Sequence, residues 1–160
     1  MTDAPDPRAM LGRSRETLIR RDAQGRWWNG SDPITHPLLT KSFDGWIERA
    51  EDGRFCLKND INWAYVAIEG PPYFVRSLLM DGDSIDQVTL RLSGDHEEKL
   101  DPSSLREAGD GSLRCTVRGD LWARFESHAS MQLEPLLVQT GEGLALRGDG
   151  GRTLMVPPAV

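Results

Sequence analysis

Hydrophobic and polar residues alternate along this chain in short runs, which is the period of half-buried β-strands. The clearest run lies within residues 85–92, where Val88, Leu90 and Leu92 alternate with polar side chains. Turn-forming glycine and aspartate residues separate such runs, which is typical of hairpins. The predicted strands are 17–21, 26–28, 54–58, 63–68, 73–80, 85–92, 113–118, 121–125, 136–139, 144–147 and 152–156.

Two segments are predicted to be helical. The first covers residues 37–50 and has Pro37 in its first turn, where the missing N–H is tolerated. The second is short, beginning at Ser127 and ending near Pro135. Residues with helical spacing in the first segment, including a tryptophan expected in the core, are Leu39, Phe43, Trp46, Ile47 and Ala50.

The order hairpin, helix, hairpin occurs twice, which predicts an α+β fold with an internal duplication. Each half is expected to be a half-barrel-like, curled antiparallel sheet with one helix, because short turns join neighbouring strands. The alternative is a chance similarity between two meanders. The predicted organisation is a flexible lead-in over 1–15, a first half over 16–80, an acidic strand and connector over 81–111, and a second half over 112–160.

The charge of the chain is concentrated in one segment. The 160 residues include 25 acidic and 19 basic side chains, a formal net charge of −6. Residues 81–111 hold nine acidic and three basic side chains, so both flanking parts are formally neutral. The net charge disfavours general nucleic-acid binding, but its location leaves a small anionic ligand open.

Known catalytic and metal-binding patterns are not found. The chain has no phosphate-binding loop and no Gly-x-Ser-x-Gly elbow, and its three histidines lie far apart. Cys56 and Cys115 are isolated, and no apolar run is long enough to span a membrane, so a reduced, cytoplasmic location is expected. We therefore predict a non-enzymatic protein without metal or cofactor. A hydrolase with a site assembled across the two halves is a third hypothesis.

Arginine residues provide the best candidates for binding, because arginine outnumbers lysine 16 to 3. Arg118 and Arg124 flank the hairpin at Gly119, and strand alternation puts Trp122 on the same face as Arg124. An aromatic ring beside a guanidinium group either stacks a base and holds a phosphate, or forms an internal cation–π pair.

Two aromatic and proline-containing motifs leave similar alternatives open. Glu69 precedes the turn at Pro72 and Tyr73, and its carboxylate either contacts a ligand or pairs with an arginine. The adjacent Trp27 and Trp28 must face opposite sides of a strand, so one is expected inside and the other is either buried between the halves or exposed.

Together these motifs resemble the bacterial family known as domain of unknown function 1285. The resemblance begins near Thr17 and continues to the C-terminus. It implies a two-domain α+β protein made by duplication, with a C-terminal half superficially like pleckstrin-homology domains. The matching segments are Trp27-Trp28-x-Gly30, Pro33-Ile34-x-His36-Pro37, Phe43, Gly53-x-Phe55-x-Leu57, Val66-x-Ile68-Glu69-x-x-Pro72-Tyr73 and Val117-Arg118-Gly119-x-Leu121-x-Ala123-Arg124.

The family has no established activity, and the resemblance implies a nucleotide-like ligand site between the halves and a role in signal transduction. The chain departs from the family pattern at Gly70, where an aspartate is usual, and at Ser130 and Met131, where an aromatic pair is usual. We therefore expect a small-ligand-binding or regulatory protein. The alternative is an interaction module that docks a peptide or partner chain. The predicted ligand-binding residues are Glu69, Pro72, Tyr73, Arg118, Arg124, Trp122 and His36.

Overall fold

The computed structural model describes residues 15–159, and the chain divides into two compact units between Pro72 and Tyr73. The predicted lead-in lies outside the described residues except for Arg15, whose side chain is buried. The predicted first half extends to residue 80. The strand at 73–80 instead belongs to the second unit, because all its strand partners lie there.

The first unit contains two small sheets and one α-helix within residues 15–72. The four-stranded sheet has the order β3-β2-β1-β7, and the three-stranded sheet has the order β4-β5-β6. The predicted hairpins β1–β2 and β5–β6 are confirmed. The elements are β1 (Ile19–Arg21), β2 (Trp27–Asn29), β3 (Asp32–Ile34), α1 (Pro37–Gly45), β4 (Ile47–Arg49), β5 (Phe55–Lys58), β6 (Trp63–Tyr65) and β7 (Ala67–Ile68).

Helix α1 is shorter than predicted. It ends at Gly45, and the N–H of Trp46 closes the last turn on the carbonyl of Phe43. Ile47 is fully buried, but in strand β4, where it pairs with Leu57. The predicted helix over 37–50 is therefore wrong at its C-terminal end, and Trp46 is half-buried rather than in the core. Glycine is a poor helix former, and the strand pairing of Ile47 gives the backbone an alternative partner.

The second unit is built on a six-stranded sheet of order β10-β9-β8-β13-β12-β11, with a separate pair β14-β15. The predicted hairpin β12–β13 and the helix at Ser127 are confirmed. The elements are β8 (Tyr73–Met80), β9 (Val88–Leu92), β10 (His96–Lys99), β11 (Arg106–Glu107), β12 (Leu113–Val117), β13 (Leu121–Phe125), α2 (Ser127–Gln132), β14 (Ala145–Arg147) and β15 (Thr153–Met155).

The acidic segment 81–111 contributes more structure than predicted, since β9, β10 and β11 all lie within it. The strand predicted over 136–139 is not formed: a short 3-10 helix covers Glu134–Leu136, and Leu137 makes a single bridge to Leu146. Antiparallel pairing is not universal either. β1 pairs in parallel with β7, and β8 pairs in parallel with β13. Each pair is joined by the long connection that parallel strands require.

One face of the six-stranded sheet forms the core of the second unit. Val88, Leu90 and Leu92 are buried, which confirms the predicted alternation. Helix α2 packs on β8, where the side-chain amide of Gln132 donates to the carbonyl of Leu78 at 3.0 Å and accepts from its N–H at 2.7 Å.

The six-stranded sheet is open and curled. The N–H of Arg118, at the end of β12, donates to Oε1 of Glu98 in β10 at 3.0 Å. Three strands separate β12 from β10, so in a flat sheet these strands would lie roughly 19 Å apart.

The described residues form a mixed α+β protein, mostly of strands, with two α-helices and several open sheets. The sheets of the two units differ in strand number and order, and the internal duplication and the pleckstrin-homology likeness stay predictions. Within residues 15–159, neither helix has the length and apolar character needed to cross a bilayer.

Candidate functional site

The predicted site residues fall on both units, and those of the first unit have partners inside that unit. His36 caps α1, where its Nδ1 accepts the N–H of the third helical residue at 3.4 Å. The carboxylate of Glu69 lies 3.6 Å from the guanidinium group of Arg20. The carbonyl of Pro72 accepts a hydrogen bond from Arg21 at 2.8 Å.

Arg21 is the centre of a buried polar cluster in the first unit. Its side chain is fully buried and donates to Oδ1 of Asp44 at 3.0 Å and to the carbonyls of Pro71 and Pro72. The indole N–H of Trp27 donates to the same carboxylate oxygen at 2.8 Å. These bonds tie β1 and β2 to α1 and to the turn before the second unit.

The two adjacent tryptophans face opposite sides of β2, as predicted. Trp27 is buried, whereas Trp28 is half-exposed and donates its indole N–H to Asp22 at 3.0 Å. Burial opposes the ionisation of Asp22, but hydrogen bonds from Trp28, Arg26 and the backbone outweigh it and lower the pKa of Asp22 to about 2.

In the second unit, Tyr73 and Arg118 come together. Arg118 has a left-handed backbone, with φ of 49°, and its guanidinium carbon lies 5.6 Å from the ring centroid of the buried Tyr73. One guanidinium nitrogen lies 3.0 Å from Nδ1 and 2.7 Å from Nε2 of His96. Together with the Glu98 contact, this cluster holds the end of β12 against β10.

Trp122 and Arg124 lie on the same face of the sheet, as the alternation predicted, and this is the outer face. The cation over Trp122 is nevertheless Arg114, whose guanidinium carbon lies 4.4 Å from the ring centroid. Arg124 lies 3.6 Å from the carboxylate of Asp110, and both side chains are about half exposed. Hydrogen bonds from Ser112, followed by the charge of Arg124, lower the pKa of Asp110.

Three arginines lie directly opposite one another on adjacent strands. Arg106 in β11 pairs with Arg114 in β12, and Arg114 pairs with Arg124 in β13. We call these residues the arginine row. Within residues 15–159, neither Arg106 nor Arg114 has a carboxylate at ion-pair distance. Arg106 donates to the carbonyls of Ser103 and Leu105 instead.

The arginine row continues into an aromatic and charged surface on β8. Phe74 lies opposite Arg124 in the parallel pair, and Arg76 lies over the Phe74 ring at 5.6 Å. Arg76 itself pairs with Glu126 at 2.6 Å. The least compensated positive charge on this face is therefore at Arg106 and Arg114.

Arg106 and Arg114 are not among the candidates predicted from the sequence. A signal for Arg114 was present, because the predicted hairpin around Gly119 already places Arg114 opposite Arg124. No comparable signal existed for Arg106, since β11 has only two residues within an acidic segment.

The two cysteines have the opposite character to activated nucleophiles. Burial, followed by the charges of Glu98 and Asp101, raises the pKa of Cys115 to about 12. Burial also raises the pKa of Cys56. Reactive thiols instead have lowered pKa values and partial exposure, so both cysteines function as core residues in their own units.

Comparisons with known proteins support a fold assignment. No family model and no curated protein matches the sequence. A DUF1285 family protein from Silicibacter pomeroyi DSS-3 superimposes with a TM-score of 0.68 at 18% identity, covering 99% of this chain and 88% of that one. Another from Shewanella baltica OS155 gives a TM-score of 0.58 at 15% identity, covering 74% of this chain and 91% of that one. The chain therefore resembles the DUF1285 family in fold, as its sequence motifs predicted.

Proposed function

We propose that this protein is a non-enzymatic, regulatory binding protein for a small anionic, nucleotide-like ligand, which it holds at the arginine row. One observation carries the proposal: Arg106, Arg114 and Arg124 lie in register on one face, and the first two have no carboxylate partner within residues 15–159.

Like charges directly opposite each other on neighbouring strands destabilise a sheet. A bound phosphate or carboxylate relieves this repulsion, because guanidinium groups donate paired hydrogen bonds to such anions. The arrangement is therefore more favourable with an anion than without one. Arg114 is already ordered by Trp122, which reduces the entropy lost on binding.

The surrounding rings favour a ligand with a flat aromatic part. Trp122 is half-exposed beside Arg114, and Phe74 lies opposite Arg124 on the next strand. Bases stack on guanidinium planes and on aromatic rings, and each base–aromatic contact contributes about 1–3 kcal/mol. A nucleotide supplies both the anion and the ring.

The size of the positive region favours a small ligand over a long polyanion. Residues 73–160 carry 14 acidic and nine basic side chains, so the row is a local basic site in an acidic unit. Tight binding to a nucleic acid backbone needs many phosphate contacts at once.

Isothermal titration with pyrophosphate, ADP and adenosine tests the proposal. We expect ADP to bind more tightly than pyrophosphate, and adenosine to bind weakly. The binding of both ADP and pyrophosphate should weaken at high salt. Arg114→Ala removes charge-assisted hydrogen bonds and should raise the Kd for ADP by about tenfold or more.

Arg91→Ala is the matched control, because Arg91 lies on the same sheet but pairs with Glu97 at 3.1 Å. It should leave the Kd unchanged. The proposal fails if neither anion binds, or if Arg114→Ala and Arg91→Ala weaken ADP binding equally. Circular dichroism establishes that each variant is folded.

A further inference from the structure

The second unit also has an apolar groove, and none of the three arginines of the arginine row lines it. It has a volume of about 470 Å³ and lies between the segment that follows β13 and the β11–β12 turn region. Met131 is 69% exposed and Leu137 is 46% exposed. Large hydrophobic residues exposed together are typical of interaction sites. The groove has a buried floor of Leu113, Leu133 and Leu146, with Met131 and Leu137 at its edge.

Two carboxylates line this groove. Glu107 is half-buried and Glu134 is exposed, and within the described chain neither has a cation at ion-pair distance. A nearby guanidinium, that of Arg147, donates to the carbonyls of Pro135 and Asp83 rather than to a carboxylate. The groove therefore combines an apolar floor with uncompensated negative charge.

We infer that this groove docks a basic amphipathic helix of a partner protein. Such a helix presents apolar side chains at every third or fourth position to a groove and keeps its lysines and arginines at the edges. The apolar residues would cover Met131 and Leu137, and the basic residues would approach Glu107 and Glu134. Methionine suits this role because its flexible side chain adapts to different partners.

Charge complementarity distinguishes this occupant from others. An acidic segment would be repelled by Glu107 and Glu134, and a second copy of the chain is disfavoured because it carries a formal net charge of −6. The second unit is acidic overall, which favours a basic partner. The inference uses none of the three arginines of the row and does not rest on the proposed ligand.

Fluorescence anisotropy with a labelled synthetic helical peptide tests the inference. The probe has leucine at every third or fourth position and lysine elsewhere, and a second peptide has glutamate in place of lysine. We expect the basic peptide to bind and the acidic peptide not to bind. Met131→Asp should raise the Kd for the basic peptide at least tenfold, and the double variant Glu107→Lys with Glu134→Lys should do the same.

Leu38→Asp is the matched control, because Leu38 is also 69% exposed but lies in the first unit. It should leave peptide binding unchanged, and so should Arg114→Ala. Leu137→Asp repeats the test if Met131→Asp unfolds. Equal binding of both peptides, no binding, or equal loss in Leu38→Asp and Met131→Asp would overturn the inference. A dimer in light scattering that Met131→Asp abolishes would assign the groove to a second copy instead.

Discussion

The backbone N–H of Arg118 donates to Glu98 at 3.0 Å, although three strands lie between the strands that carry the two residues. This bond, with the contact between Arg118 and His96, joins the two sides of the curled sheet. Arg118 adopts a left-handed backbone conformation to make it, with φ of 49°.

Replacing Arg118 by glycine and by alanine separates strain from contact. Both variants lose the His96 contact, but only glycine adopts positive φ without a steric cost. We expect Arg118→Gly to have a free energy of unfolding about 1 kcal/mol higher than Arg118→Ala. Urea denaturation measures both, and equal stabilities would show that the left-handed conformation is not strained.

The ion pair between Arg21 and Asp44 should be essential to the first unit. Arg21 is fully buried, so Asp44→Ala leaves its charge and the indole N–H of Trp27 without their main acceptor. We expect a loss of about 3 kcal/mol in the free energy of unfolding, measured by tryptophan fluorescence in urea. Asp60→Ala, at an exposed position, is the control and should cost little; a similar small loss in Asp44→Ala would contradict the prediction.

Asp110 should compete with the proposed ligand, because its carboxylate faces Arg124 at 3.6 Å. Asp110→Asn keeps an oxygen for the turn at Ser112 but removes the negative charge. We expect pyrophosphate to bind two- to fivefold more tightly, the effect of an exposed ion pair. Titration calorimetry measures the change. Glu97→Gln, which frees Arg91 elsewhere on the sheet, should have no effect, and an equal gain there would point to net charge alone.

Acid should destabilise the first unit through Asp22. The folded pKa is about 2 and the ordinary value is 3.8, so protons bind the unfolded chain more strongly. The stability that Asp22 contributes is present above pH 4 and is lost as the pH falls from about 4 to about 2. Asp22→Asn should flatten the decline in stability across this range. Denaturation curves at several pH values measure it, and parallel profiles for both proteins would contradict the prediction.

Local features of the fold could be predicted from the sequence. The hairpins β1–β2, β5–β6 and β12–β13 follow from apolar runs around short polar turns, and the structure confirms them. The end of α1 could not be predicted, because Ile47 fits the helical spacing as well as it fits a buried strand position. Only its pairing with Leu57 decides between the two.

Long-range strand pairings could not be predicted from the sequence pattern. The parallel pair of β8 with β13 places Tyr73 opposite Ala123, and no local signal marks these residues as partners. In the candidate site, too, some features could be predicted from the local pattern and others could not. Trp122 and Arg124 could be placed on one face from alternation, whereas the in-register position of Arg106 depends on a two-residue strand.

The position of the arginine row in the chain has a consequence for folding. Strands β11, β12 and β13 form a contiguous meander, so Arg106, Arg114 and Arg124 are brought together by short loops with little closure entropy. Phe74 joins them only when β8 pairs with β13 across about 50 positions. Such distant pairing is slower than local hairpin formation. The cationic part of the surface should thus assemble before its aromatic neighbour, and late folding steps complete the proposed binding surface.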